Sequence, residues 1–264
     1  MSAHLYVISD SATMLRRNFR RMVRYPSVSL LVVGIPVILL LLFVYVFGGT
    51  LGAGLGVASG GRAAYVDYVA PAIVLIAIAG AAQGTAISVA MDMHEGIISR
   101  FRTMGIARAS VLVGHVLGST IQTMAGLVVV MGVALLVGFD PDASVIEWVA
   151  AAGLLLMITF AITWLSVALG LAPNSVEAAS NLPMPLILLP FLSSGFVPID
   201  SMPAGFRWFA EFQPFTPFIE TLRGLLMGTA IGKSAPLSVA WCVLIAFVGF
   251  RWGLKLYNRD LSHD

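Results

Sequence analysis

The chain alternates long apolar runs with short polar interruptions. Runs at 28–47, 68–91, 111–138, 148–171, 182–197 and 236–253 are almost free of charge, with Arg251 near the end of the last. About 20 apolar residues carry a helix across the hydrocarbon core. Backbone amides there have no water to pair with, so helices are the expected spanning elements. The fifth run is short and holds Pro183, Pro185 and Pro190, which predicts a kinked helix or one that re-enters. Arginines precede the first run, as in a signal peptide. Its apolar core of about 20 residues exceeds the roughly 7–15 of a signal, so a membrane span is expected.

Helical periodicity continues between the runs. Over 10–25, Leu15, Phe19, Met22 and Val23 share one face, while Arg16, Arg17, Arg20, Arg21 and Arg24 fill the remaining arc. Asp10 or Ser11 can cap this segment and Pro26 ends it. It is expected to lie in the headgroup layer, arginines toward anionic lipid. Over 92–108, Ile97, Ile98, Phe101 and Met104 line one face and Glu95, Ser99 and Arg102 another, before Gly105. A short half-apolar helix beneath the membrane suits docking to a partner. Over 198–233, Phe215, Phe218, Ile219, Leu222, Leu225 and Leu226 share a face, with Glu220 and Arg223 an i, i+3 pair on another. One or two helices on or dipping into the outer leaflet are expected. Segment 48–62 holds seven glycines in fifteen residues, which predicts flexible, irregular backbone.

Composition strengthens this picture. The chain has 264 residues, 59% apolar and 11% charged, against roughly 45–50% and about 25% in soluble domains. Eleven of the fifteen Lys and Arg fall at 16–24, 100–108 and 251–259; Arg62, Arg207, Arg223 and Lys233 make up the rest. Six spans and the positive-inside rule place both termini in the cytoplasm. Basic residues form no long run of the kind that binds nucleic acid. The single cysteine, Cys242, excludes an internal disulfide or a multi-cysteine metal site.

Candidate chemistry is sparse. Gly232-Lys233-Ser234 looks like the tail of a phosphate-binding loop, but the glycine that motif needs falls at Met227 and no strand precedes it. Asp92, His94 and Glu95 lack a second cluster to complete a metal site, so solvated polar residues at a helix start are expected. Gln83, His115 and Gln122 lie inside spans and are candidate pathway residues; the more ordinary reading is that they hydrogen-bond neighbouring helices. Gly80-x-x-x-Gly84, Gly114-x-x-x-Gly118 and Gly249-x-x-x-Gly253 permit close helix packing. No acid, base and nucleophile set is identifiable.

The stretch 91–108, MDMHEGIISRFRTMGIAR, resembles the cytoplasmic coupling segment of type-2 ABC export permeases, including the membrane subunit of daunorubicin/doxorubicin-resistance exporters. Gly105 stands where a proline is common. A second stretch, Met202-Pro203 through Arg207-Trp208-Phe209 and Glu220-Thr221-Leu222-Arg223-Gly224 to Gly228, is similar to that family's external helices before the last span. The resemblance covers nearly the whole chain and implies a single permease domain, 1–264, all-α and integral to the cell membrane. It would have six transmembrane helices, an amphipathic elbow at 10–25, a coupling helix within 92–108 and external re-entrant helices within 198–233. Coupling to the ATPase would fall on Glu95, Gly96, Ile98, Arg100, Phe101, Arg102, Met104 and Arg108. The external helices carry Arg207, Glu220 and Arg223.

The resemblance further implies two permease subunits, identical or paralogous, with two ATP-binding subunits. ATP and Mg would sit on the partner, with no cofactor and no catalysis on this chain. The pathway would be lined by spans one, two and five, and the cargo would be a small amphipathic molecule, drug or lipid. Other branches export polysaccharide or glycolipid. An ion-coupled secondary transporter would instead want ionisable residues near the midplane and repeated halves, and a lipid-acting enzyme a clustered acid, base or nucleophile.

Overall fold

The computed structural model describes residues 26–55, 61–94 and 108–259. The expected elbow at 10–25 and the coupling residues from Glu95 to Met104 lie outside the described residues. Among the described residues all regular structure is helical. The first helix, α1 (Pro26–Leu41), continues through a π-helical turn (Leu42–Phe47) into α2 (Gly48–Ala53). Then come α3 (Arg62–His94), α4 (Arg108–Val137) and α5 (Val145–Leu171). A broken stretch follows, α6 (Val176–Asn181), α7 (Met184–Leu188) and a 3₁₀ turn (Leu189–Leu192). After a second 3₁₀ turn (Ile199–Ser201) come α8 (Ala204–Phe212), α9 (Phe215–Met227) and α10 (Ser234–Arg259).

Five helices are long and apolar enough to cross a membrane: Val33–Ala53, α3, Leu112–Val137, α5 and Ser234–Tyr257. The fifth run is broken, as its prolines predict, but its bounds differ from the sequence reading. The apolar stretch is Val176–Leu192 rather than 182–197, interrupted at Pro183, which has no N–H to continue the α6 ladder. Segment 48–62 is also corrected in part. Its first six residues extend the first span as α2, and Gly52 comes so close to Gly61 that a Cβ would meet its carbonyl at 2.0 Å. Those glycines serve close backbone approach as well as freedom.

The two most buried spans, α3 and α5, form the centre, and α10 packs along α5. Glycine sets these crossings. A Cβ on Gly249 of α10 would lie 2.5 Å from the Leu165 amide nitrogen, and one on Gly170 would lie 2.6 Å from the Ala86 carbonyl oxygen. Gly80 and Gly84 play no such part, because nothing approaches within 4 Å of their Cβ positions. Ser144 and Glu147 form a reciprocal capping box at the start of α5, the arrangement an S-x-x-E spacing favours. Polar side chains within the spans pair locally. Thr163 donates to the Thr159 carbonyl and Ser166 to that of Ile162, each at 2.7 Å, so neither meets lipid unpaired.

The apolar face of α9 is the face read from the sequence, but it turns into the protein. Phe215, Phe218, Ile219, Leu222 and Leu226 are fully buried, packed against α3, α5 and α10. The outer leaflet is therefore not what covers this face. Gly228 closes α9 at φ +62°, a left-handed cap that glycine adopts without a Cβ penalty. The loop-like Gly228…Gly232-Lys233-Ser234 pattern is thus a helix cap, a turn and the start of α10.

Candidate functional site

Three groups of side chains define the functional geometry. The first is a wall where α1, α3 and the broken stretch meet. The open positions Gly80 and Gly84 lie on α3, and between them Gln83 donates from Nε2 to the Ser180 carbonyl of α6 at 2.8 Å. Nearer the start of α3, the Tyr68 hydroxyl donates to the Ser194 carbonyl at 2.7 Å and that of Tyr65 to the Phe196 carbonyl at 3.4 Å. Residues 180–194 therefore run antiparallel to α3 from Gln83 to Tyr68. The fifteen residue steps from Tyr68 to Gln83 along α3 cover about 22 Å at 1.5 Å rise per residue. Where this wall ends, Phe43 of the π-helical turn lies 4.5 Å from Phe196, which stacks on Phe191 at 5.0 Å.

The second group ties α9 to α3 and the broken stretch. The Arg223 guanidinium lies over the Tyr68 ring and donates to the Tyr68 and Ser194 carbonyls. Glu220 does not pair with it directly; it accepts from the Ser234 hydroxyl at 2.8 Å. Gln213 adds a neighbouring tie, donating to the Leu189 carbonyl at 3.3 Å. Burial lowers the proton affinity of Arg223 from the usual guanidinium value, opposed by Tyr68 and Glu220. Arg207 lies elsewhere, bonded to the Asp200 carbonyl and 3.6 Å from its exposed carboxylate.

The third group is at the opposite end of α3. His115 Nε2 of α4 lies 3.1 Å from Asp92 Oδ2, both residues buried. Asp92 was expected to be solvated at a helix start; it is buried near a helix end, because α3 runs on to His94. The sequence reading missed this pairing because the partners are 23 residues apart on different helices. Among the described residues no group of three or more His, Cys, Asp or Glu could hold a metal. Of the predicted pathway residues, Gln83 reaches the wall, His115 joins Asp92, and Gln122 is half-buried on α4. Arg108 opens α4. Tyr68, Ser194 and the Phe43–Phe191–Phe196 cluster escaped sequence reading because their partners lie far along the chain.

Among the described residues, an all-helical fold with at least five membrane-length spans and shorter helices between the last two narrows the families the chain resembles. The family model for ABC-2 type transporter matches residues 11–227. The chain belongs to that family. It is 27% identical over 263 residues to the daunorubicin resistance ABC transporter permease protein DrrB1 of Streptomyces coeruleorubidus, covering 99% of this chain and 90% of that one. It is also 27% identical over 190 residues to the probable doxorubicin resistance ABC transporter permease protein DrrC of Mycobacterium tuberculosis (strain CDC 1551 / Oshkosh), covering 67% of this chain and 68% of that one. The resemblance read from 91–108 and 202–228 therefore holds at the level of the family. As an ABC-2 type protein with several membrane-length helices, the chain is a multi-pass membrane protein. Family membership implies an ABC ATP-binding subunit as its partner.

Proposed function

We propose that this chain is the membrane-spanning permease subunit of an ATP-driven exporter that moves a hydrophobic or amphipathic molecule, a drug or a lipid, out of the cell. The end-to-end similarity to a daunorubicin resistance permease, across 99% of this chain, carries the reading. ATP and Mg belong to a separate ATP-binding subunit, present in two copies beside two permease subunits.

The pathway in this reading follows the wall of α3 between the first span and the broken stretch. The open positions at Gly80 and Gly84 leave space for cargo, Gln83 offers polar atoms at one level and the Phe43, Phe191 and Phe196 rings offer an apolar surface at the end. Such a wall suits an amphiphile, which needs apolar cover and a few polar contacts. In this assignment the broken stretch is the fifth of six crossings and both termini are cytoplasmic. The arginines at 16–24 anchor an elbow helix in the headgroups. Residues Glu95, Gly96, Ile98, Arg100, Phe101, Arg102, Met104 and Arg108 receive the push of the ATPases.

Reconstitution with the ATP-binding subunit tests this. Glu95→Lys and Phe101→Asp are expected to abolish substrate stimulation of ATP hydrolysis while leaving membrane insertion intact. Unchanged stimulation in both variants removes the coupling assignment. Transport by the permease alone, driven by an ion gradient, overturns the exporter reading in favour of a secondary transporter.

A further inference from the structure

Asp92 and His115 form a buried ionisable pair to which the transport reading gives no task. Asp92 is the third residue from the end of α3, and His115 lies two turns into α4. Segment 95–107 joins these two helix ends. Val89, Met93, Leu112, Val116, Trp164, Val167, Leu171 and Tyr257 form an apolar cluster from α3, α4, α5 and α10 at the same level. A carboxylate in such surroundings is strongly unfavourable unless it has polar partners, and the His115 imidazole is one of them. The contact is close, 3.1 Å, yet His115 Nε2 makes no aligned hydrogen bond.

A purely apolar seam would hold the two helices together in several registers, because dispersion and burial are non-directional. A buried polar contact penalises the registers that break it, since sliding either helix takes the imidazole away from the carboxylate. Fixed register matters most between the two helices through which any displacement of 95–107 enters the bundle.

We infer that Asp92 and His115 are positioning residues that lock the facing ends of α3 and α4 in one register, so that a displacement of segment 95–107 moves both helices as a unit. The inference rests on the permease reading for the use made of that movement, but the lock itself is a property of this chain.

The test compares wild type, Asp92→Asn and the apolar double variant Asp92→Leu/His115→Leu. Each is reconstituted with the ATP-binding subunit in liposomes. The double variant is expected to keep the subunit bound and to fold, because apolar side chains can replace a buried ionic pair without loss. Cargo moved per ATP is expected to fall at least about fivefold in both variants, the lower range of typical coupling between sites. A spin-label pair at His94→Cys and Leu117→Cys, in a Cys242→Ser background and in the permease alone, is expected to show a broader distance distribution in both variants.

Normal transport per ATP in the double variant overturns the inference, since packing alone then suffices. Unchanged label distributions overturn it as well, even if the wild-type complex shows no ATP-driven transport. The latter result sinks only the permease reading. Should the double variant fail to fold, the same two readouts on Asp92→Asn decide.

Discussion

Arg223 of α9 lies over the ring of Tyr68 in α3, its Cζ 3.8 Å from the ring centroid, and its Nε and Nη2 donate to that same residue's carbonyl at 3.2 and 3.0 Å. Nη2 also reaches the Ser194 carbonyl at 3.1 Å, the group that accepts from the Tyr68 hydroxyl. One guanidinium thus ties α9, a central span and the end of the broken stretch.

Arg223→Lys is expected to destabilise the protein nearly as much as Arg223→Ala. A lysine ammonium has neither the planar fork nor the stacking surface. The loss should be about 1.5–3 kcal/mol, typical of a hydrogen bond from a charged donor. Tyr68→Phe removes only the bond to Ser194 and should cost about 1 kcal/mol. Thermal melts of the detergent-purified variants check the order; a harmless Arg223→Lys would show that stacking and the two-point contact contribute nothing.

Gly249→Val is expected to push α10 off α5, since even a Cβ there lies 2.5 Å from the Leu165 nitrogen and 2.7 Å from the Trp164 carbonyl carbon. Overpacking against unyielding backbone costs typically about 1–3 kcal/mol. Gly253→Ala, one turn later, should be tolerated, because its nearest neighbour would be the Ala168 Cβ at 3.8 Å. The ratio of monodisperse to aggregated protein after solubilisation reports the difference.

This pair also shows what the sequence conveyed. A G-x-x-x-G spacing announced close packing of the last span, yet only Gly249 is tightly covered, and Gly80-x-x-x-Gly84 faces open space. Spacing reports which residues share a helix face; it does not report what stands opposite. The same limit hid Asp92–His115 and Arg223–Tyr68, where each partner looked like an ordinary polar residue on its own helix. The long spans were legible because lipid demands long charge-free runs. The broken stretch was misplaced by several residues because its prolines interrupt the helix inside the apolar run, where hydropathy does not change. The inward turn of α9 was illegible for a related reason: an apolar helix face reads the same whether protein or lipid covers it.

Helix α8 exposes Phe206, Trp208, Phe209 and Phe212, while Arg207 and Glu211 occupy the arc between Phe206 and Trp208. Aromatic rings with one wet side gather at the headgroup level. Trp208 is expected to be quenched by lipids brominated near the headgroup more than by lipids brominated at the chain ends. Since Trp148, Trp164, Trp241 and Trp252 also emit, the comparison is the difference spectrum against Trp208→Phe. Equal quenching at both depths would show that α8 stands clear of the membrane.

The side on which three exposed residues lie decides whether the broken stretch crosses. Asp142 precedes α5, Asn174 follows it, and Asp200 follows the broken stretch; all three are exposed. Helix α5 has 27 residues, enough to separate Asp142 from Asn174 by a full bilayer at 1.5 Å per residue. If 176–192 returns across the membrane, Asp200 shares the side of Asp142; if it dips and comes back, Asp200 shares the side of Asn174. The bonds from Gln83 to Ser180 and from Tyr68 to Ser194 favour the first outcome, because they place the two ends of the stretch at levels about 22 Å apart along α3. Cysteines introduced singly at 142, 174 and 200 and probed in intact cells with a membrane-impermeant maleimide are expected to label at 142 and 200 and to resist at 174. The native Cys242, 1% exposed, adds little background. Labelling at 174 together with protection at 200 would reverse the topology at this stretch and remove the broken helix from the list of crossings.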